Sequence, residues 1–265
     1  MKKTSLYLCV IAVLATVFSS CLGDNESTTS ASKTFTFIQE DPATGKLYAS
    51  IKIGYGLAYI TGTGLTDVSA GDAALISYKV NLNSLGGGTT ISQAEYISVN
   101  EVFPRPHKVV RNQPMDTLVN NSPFKSVIID VPDQNMSFKN RWLFQFSADV
   151  KGDNQNFDVV FSYDKDKDSQ KDKDGNALPA NTVIVDITLV KTGVPVEGAT
   201  AKSKTKPVVV DFSSFRNEHT PSTIPDNGVL VSVWFRYIYE NPSTKKAELY
   251  YLKSGVGLGY WKEAE

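Results

Sequence analysis

The chain has 265 residues, with 27 Lys and Arg against 28 Asp and Glu and a formal net charge of −1. It has no basic surplus to offer nucleic acid, whose phosphates reward a positive face. Hydrophobic residues make up 41% and aromatic residues 11%, enough to bury a core, so disorder is expected only in a tether and in some loops.

Lys2 and Lys3 open a positive segment, and the apolar run from Leu6 to Phe18 is shorter than the ~20 residues of a membrane-spanning helix. Residues 1–20 are therefore expected to be a secretory signal peptide and not a transmembrane anchor. Small residues Ser19 and Ser20 leave room for a peptidase, and Phe18-Ser19-Ser20-Cys21 resembles the lipobox of bacterial lipoproteins, with Phe18 where Leu is usual. The resemblance implies that Cys21 becomes the mature N-terminus and the lipid attachment point. The alternative is cleavage without acylation, which leaves one free thiol. Each buried CH₂ contributes about 0.8 kcal/mol, and more than one chain suffices for stable anchoring. Cys9 leaves with the signal and Cys21 is taken by lipid, so the mature protein has no disulfide to draw on. Loss of Lys2 and Lys3 leaves 25 basic against 28 acidic residues, a net of −3.

Residues 21–33 are polar and small, with no apolar periodicity, and predict a flexible tether of roughly 20 Å root-mean-square span. Asp24 and Glu26 resemble the export signal that sends Bacteroidetes lipoproteins to the outer face of the outer membrane. The competing expectation is a solubilising tether that faces the periplasm.

From there the chain reads with a period of two, which predicts an all-β fold. Ala74, Ile76, Tyr78, Val80 and Leu82 share one face of a half-buried strand. Further strands are predicted at 35–38, 47–53, 55–61 and 94–102, and five strands in so short a span fit an OB-like small barrel over residues 34–110. Pro104, Pro106, Pro114 and Pro123 then punctuate a segment that is not expected to be a central strand, because proline has no amide for a ladder. The domain junction is placed there. Downstream, Trp142, Phe144, Phe146, Ala148 and Val150 alternate, as do Phe157 to Tyr163, Val183 to Leu189 and Val231 to Tyr239. With strands at 126–131, 207–212 and 248–253, residues 111–265 predict a two-sheet β-sandwich, and Ser213–Glu218 one helical turn.

This order of parts resembles the NigD-like lipoproteins of Bacteroidetes. The likeness is carried by the Gly71-Asp72 turn before its alternating strand, by Phe138-Lys139-Asn140-Arg141-Trp142-Leu143-Phe144-Gln145-Phe146, by Val183–Val190, and by Val208-Val209-Val210-Asp211-Phe212-Ser213-Ser214-Phe215-Arg216. It implies surface lipoprotein status and an association with bacteriocin operons, and it brings no catalytic motif.

The candidate chemistry is sparse. Asp164 to Asn176 alternates five aspartates with four lysines and is similar to a calcium loop, but Ser169 stands where an EF-hand needs glycine and Gly175 where it needs a bidentate glutamate. A solvated connecting loop is the simpler expectation. His107 and His219 are isolated, in predicted surface loops, with no metal or catalytic spacing. The glycines of Gly62-Thr63-Gly64 and Gly255-Val256-Gly257-Leu258-Gly259 open no helix and are read as bulges or close backbone approaches. No catalytic residue, metal or cofactor is expected. On the strand Trp234-Phe235-Arg236-Tyr237-Ile238-Tyr239, alternation sets Trp234 and Arg236 opposite the aromatic core face. With Tyr250 and Trp261 they form the candidate ligand-binding set, since exposed aromatics stack on sugars or anchor protein partners. The expected protein is a non-enzymatic, lipid-anchored binding or accessory module of the outer membrane, held to the membrane by acyl chains. The alternatives are a glycan-binding lipoprotein and a hydrolase built on two carboxylates.

Overall fold

The structure, a computed structural model, describes residues 27–53, 56–85, 90–103, 106–111, 122–130, 140–166 and 170–261. Its fold class is all-β, as the alternation predicts. The N-terminal sheet contains β1 (Thr28–Glu40), β2 (Leu47–Ile53), β3 (Gly56–Thr61), β4 (Ala73–Asn81), β5 (Ile91–Gln93) and β6 (Tyr96–Phe103), in the order β5-β3-β2-β1-β4-β6. β1 is divided between neighbours: Thr28 to Phe37 pair with β4, while Ile38 to Glu40 pair with β2. A bulge between Ala31 and Thr34, with Lys33 at φ 52°, bends this shared strand, and the sheet curls into a half-barrel. Ile38, Ile51, Ile60, Ile76, Val80 and Ile97 fill its concave side, each at most 4% exposed. Gly64 is required here by contact: a Cβ on it would stand 1.6 Å from the Ile97 carbonyl oxygen.

The C-terminal sheet contains β7 (His107–Arg111), β8 (Ser126–Asp130), β9 (Arg141–Lys151), β10 (Asn156–Tyr163), β11 (Thr182–Thr192), β12 (Ala201–Asp211), β13 (Val229–Glu240) and β14 (Ala247–Tyr260). Their order is β14-β13-β11-β10-β7-β12-β9-β8. The apolar residues of the alternating runs meet across the interior, where Phe144 lies 5.1 Å from Phe161 and 5.2 Å from Phe235. Each such ring contributes about 1.5–3 kcal/mol of burial. β7 joins the two layers on one side, parallel to both β10 and β12. On the other side Phe124, just before β8, bridges to Tyr239 of β13, and Lys125 binds Asp149 at 2.9 Å and Glu240 at 2.5 Å. The sandwich is thus stitched along both margins. Helix α1 (Ser213–Glu218) plugs one end with the buried Phe215.

The two sheets meet end to face. Phe37 and Ala73 from the first pack with Leu143 and Val209, which point outward from β9 and β12, and Phe35, Leu57 and Phe103 complete the contact. Arg141 lies 4.5 Å above the Phe37 ring, pairs with Asp211 at 3.2 Å and donates to the Gly71 carbonyl. Farther along the same outward face Gln145 is exposed, so the half-barrel touches only one end of it.

Two boundaries differ from the sequence reading. The predicted tether, residues 21–33, is strand from Thr28 onward, because β4 supplies a ladder that short polar residues can join without burying a face. The predicted junction at 110/111 falls inside β7, which is a central strand of the C-terminal sheet. Pro106 lies just before it, and no proline interrupts its five residues. The predicted signal peptide and Cys21 lie outside the described residues.

Candidate functional site

The residues singled out from sequence lie on β13, β14 and the end of the chain, and the structure divides them between two faces of one sheet. β11 and β13 run parallel with Asp186 beside Arg236, and this register makes an ion pair. Arg236 donates from Nε and Nη2 to the two Asp186 oxygens at 2.6 and 2.9 Å. Asp186 is 1% exposed. Burial works against the guanidinium's charge, and the Asp186 hydrogen bonds outweigh it, so Arg236 is held more firmly protonated than usual. Tyr251, its neighbour on β14, stands 6.0 Å from the guanidinium, and Lys253 sits 4.5 Å above the ring of its own partner, Trp234. Trp234 and Arg236 are therefore half-buried and engaged with neighbours, and they do not stand as free binding groups.

Tyr250 belongs to the other face. It pairs across the ladder with the core residue Tyr237 and packs at 5.4 Å from Tyr237 and 5.7 Å from Tyr239. The expected grouping of Tyr250 with Trp234 is corrected by strand parity: the tyrosine beside Arg236 is Tyr251. Tyr250 remains 44% exposed at the rim of the core.

Trp261 is the most exposed tryptophan, at 61%, and its indole lies across two glycines. A Cβ on Gly259 would stand 2.0 Å from its six-membered ring, and one on Gly228 2.6 Å from its Cδ1. Gly228 also closes a turn at φ +76°. Leu230, paired with Gly259, is 44% exposed beside it. Leu249 and Tyr250 add exposed apolar surface on β14, the outermost strand of the sheet. On the Arg236 face, Leu230 and Trp261 at one end and Leu249 at the other flank the buried Asp186–Arg236 pair, while Tyr250 lies on the opposite face.

Sequence reasoning missed Asp186, Lys253 and Leu230. The signal for Asp186 was a lone carboxylate inside the apolar run Val183–Leu189, which in a strand buried on both faces demands a cationic partner.

A second polar cluster gathers at α1. Tyr163 donates to Glu218, which also accepts from Arg111 and Lys165 at 3.3 Å each. The tyrosine bond and the two cations hold Glu218 below the usual carboxylate range, while burial and Glu218 itself push the Tyr163 hydroxyl up. This arrangement keeps one proton on Tyr163 and the charge on Glu218. His219 is not on an open loop: it stacks on Phe215 at 4.2 Å and lies 5.2 Å from Tyr163, and burial lowers its pKa. His107 lies 3.8 Å from Asp158, whose other cationic neighbour is Lys206 at 2.9 Å.

In the 164–176 loop, Lys167, Asp168 and Ser169 lie outside the described residues. The Asp172 carboxylate accepts from the backbone of Asp174 and Asn176, and Asp164 from that of Asp166, so these carboxylates brace their own turns. Among the described residues no group of three or more His, Cys, Asp and Glu side chains is placed to hold a metal ion, and no helix is long and apolar enough to cross a membrane.

No family model matches the chain, and no curated protein does. Among solved structures it is similar to an uncharacterized protein from Parabacteroides merdae, at a TM-score of 0.50 and 14% identity, over 83% of this chain and 95% of that one. A NigD-like immunity protein from Bacteroides caccae aligns at a TM-score of 0.45 and 12% identity, over 91% of this chain and all of that one. At such identities the first likeness is one of fold alone, and the second is looser still.

Proposed function

We propose that the chain is a non-enzymatic binding module, carried on the outer membrane by lipid at Cys21, that engages an envelope protein through the rim of β13 and β14. The observation that supports this most is the exposed pair Leu230 and Trp261 at one end of β13 and β14, with exposed Leu249 farther along the same face of β14, the outermost strand among the described residues. Aromatic and aliphatic anchors around an open strand edge have the composition of a protein interface, and the edge adds unpaired backbone groups. The test is a photo-crosslinking residue at Leu230, with a control at Lys204 on the exposed part of β12. A discrete adduct from Leu230 in whole cells, weakened by Trp261→Ala and absent from Lys204, is the expected result. Equal labelling at both positions, or none at Leu230, contradicts the assignment.

Glycan binding is the second reading, favoured by the single exposed indole of Trp261. It predicts saturable quenching of tryptophan emission by a sugar, lost in Trp261→Ala and unaffected by Leu230→Ala. Protease shaving of intact cells tests the outward orientation: loss of the protein is expected outside, and full protection places it on the periplasmic face.

A further inference from the structure

The half-barrel has no part in the rim just described, and its geometry relative to Cys21 gives it one. β1 begins at Thr28, so only six residues separate the proposed lipid-bearing cysteine from rigid strand. At about 3.5 Å per residue, the Thr28 end of β1 lies no more than about 25 Å from Cys21. β1 then runs nine residues to Phe37, roughly 30 Å of strand, before reaching the contact with the C-terminal sheet. The lipid-proximal end of the molecule and its sandwich are at opposite ends of one strand.

What stands at the lipid-proximal end follows from register. Ser30 pairs with Lys79 of β4, and Lys79 pairs with Tyr96 of β6, so Tyr96 is two strands, about 10 Å, from β1. Tyr96 is 56% exposed, and its hydroxyl donates to Ser98 at 2.8 Å. Beside it Lys79 pairs with Glu95 at 2.7 Å, and the Leu82 amide ties the end of β4 to Ser27 at 2.7 Å. An exposed tyrosine among polar, charge-balanced neighbours suits the headgroup layer of a bilayer, where an apolar ring and a polar tip are both satisfied.

The geometry points to a stand-off role for the half-barrel: its Thr28 end rests on the lipid surface with Tyr96 in the headgroup layer, and β1 carries the sandwich away from the bilayer. This rests on the reading of Cys21 as the lipid-bearing residue. Cys9 precedes that site and Cys21 is consumed by it, so a cysteine introduced elsewhere is the one free thiol of the mature chain.

The experiment places an environment-sensitive fluorophore on Tyr96→Cys and, separately, on Glu197→Cys, in an exposed loop preceding β12. The full-length lipidated protein is reconstituted in phosphatidylcholine vesicles doped with a lipid that carries a nitroxide at the headgroup. Loss of emission at position 96 with none at 197 is expected, and a long Gly-Ser insertion after Glu26 should relieve it. Equal quenching at both positions, or none at 96, overturns the stand-off role, as does quenching that survives the longer tether. The mass of the same sample separates this failure from that of the underlying reading: an unacylated Cys21 refutes lipidation, whereas an acylated protein unquenched at 96 refutes the stand-off role alone.

Discussion

Asp186 carries a charge at 1% exposure, so its ion pair with Arg236 is a structural commitment of the sheet. Removing one partner of such a pair leaves the other buried and uncompensated, at a cost of about 3–5 kcal/mol. Arg236→Met is predicted to lower the urea unfolding free energy by that amount, and Arg236→Met with Asp186→Leu to restore most of it. His219 gives a pH dependence of known sign. Its folded pKa lies below the ordinary 6.5, because burial disfavours the imidazolium. Between those two values the unfolded chain binds the proton better, so the contribution is complete above 6.5 and lost as the pH falls toward the folded value. Urea midpoints measured from about pH 7.5 down to about 5.5 should decline across that window, and His219→Phe should flatten the decline. At the rim, Gly259→Ala places a methyl 2.0 Å from the present position of the Trp261 ring and must displace it. Acrylamide should then quench tryptophan emission more steeply than in the parent protein, with little change in unfolding midpoint.

The elements differ in how plainly the sequence announces them. β9, β10, β11 and β13 are each long runs of aromatic and β-branched residues at a period of two, and the core-facing residues of that alternation are buried or partly buried, with second-face burial added at Leu143, Ile184, Asp186 and Ile238. β7 has only five residues beside prolines, and its identity comes from Phe161 and Val210, which lie some 50 and 100 positions later and pair with it on either side. β5 has three residues and the start of β1 has no apolar face, so both are defined by partners alone. The candidate site was half legible for the same reason. Alternation alone sets Trp234 and Arg236 opposite the core, whereas Asp186 and Tyr251 join them only through inter-strand register, which also sends Tyr250, grouped with them from sequence, to the other face. Closure of the sandwich is likewise a matter of partners: Phe124 is fully buried, packs 5.3 Å from Phe146, and bridges to Tyr239. Phe124→Ala should cost about 3–5 kcal/mol in a urea melt and speed amide exchange along β8 more than along β10.

On the scale of the whole molecule, a half-barrel and a stitched sandwich are joined by a small apolar contact around Phe37, Leu143 and Val209, clamped by Arg141. Two of its exposed apolar places concern the proposal, Tyr96 beside the start of β1 and Leu230 with Trp261 at the end of β13 and β14. On the proposed reading, lipid at Cys21 would set one of these places on a bilayer and leave the other to be presented to a partner. The most direct test is the intact mass of the protein extracted by detergent from the membrane fraction of its native cells. A chain that begins at Cys21 and carries more than one acyl group is the predicted result. A mass that retains the leader, or that shows an unmodified Cys21 in a protein recovered without detergent, contradicts the account.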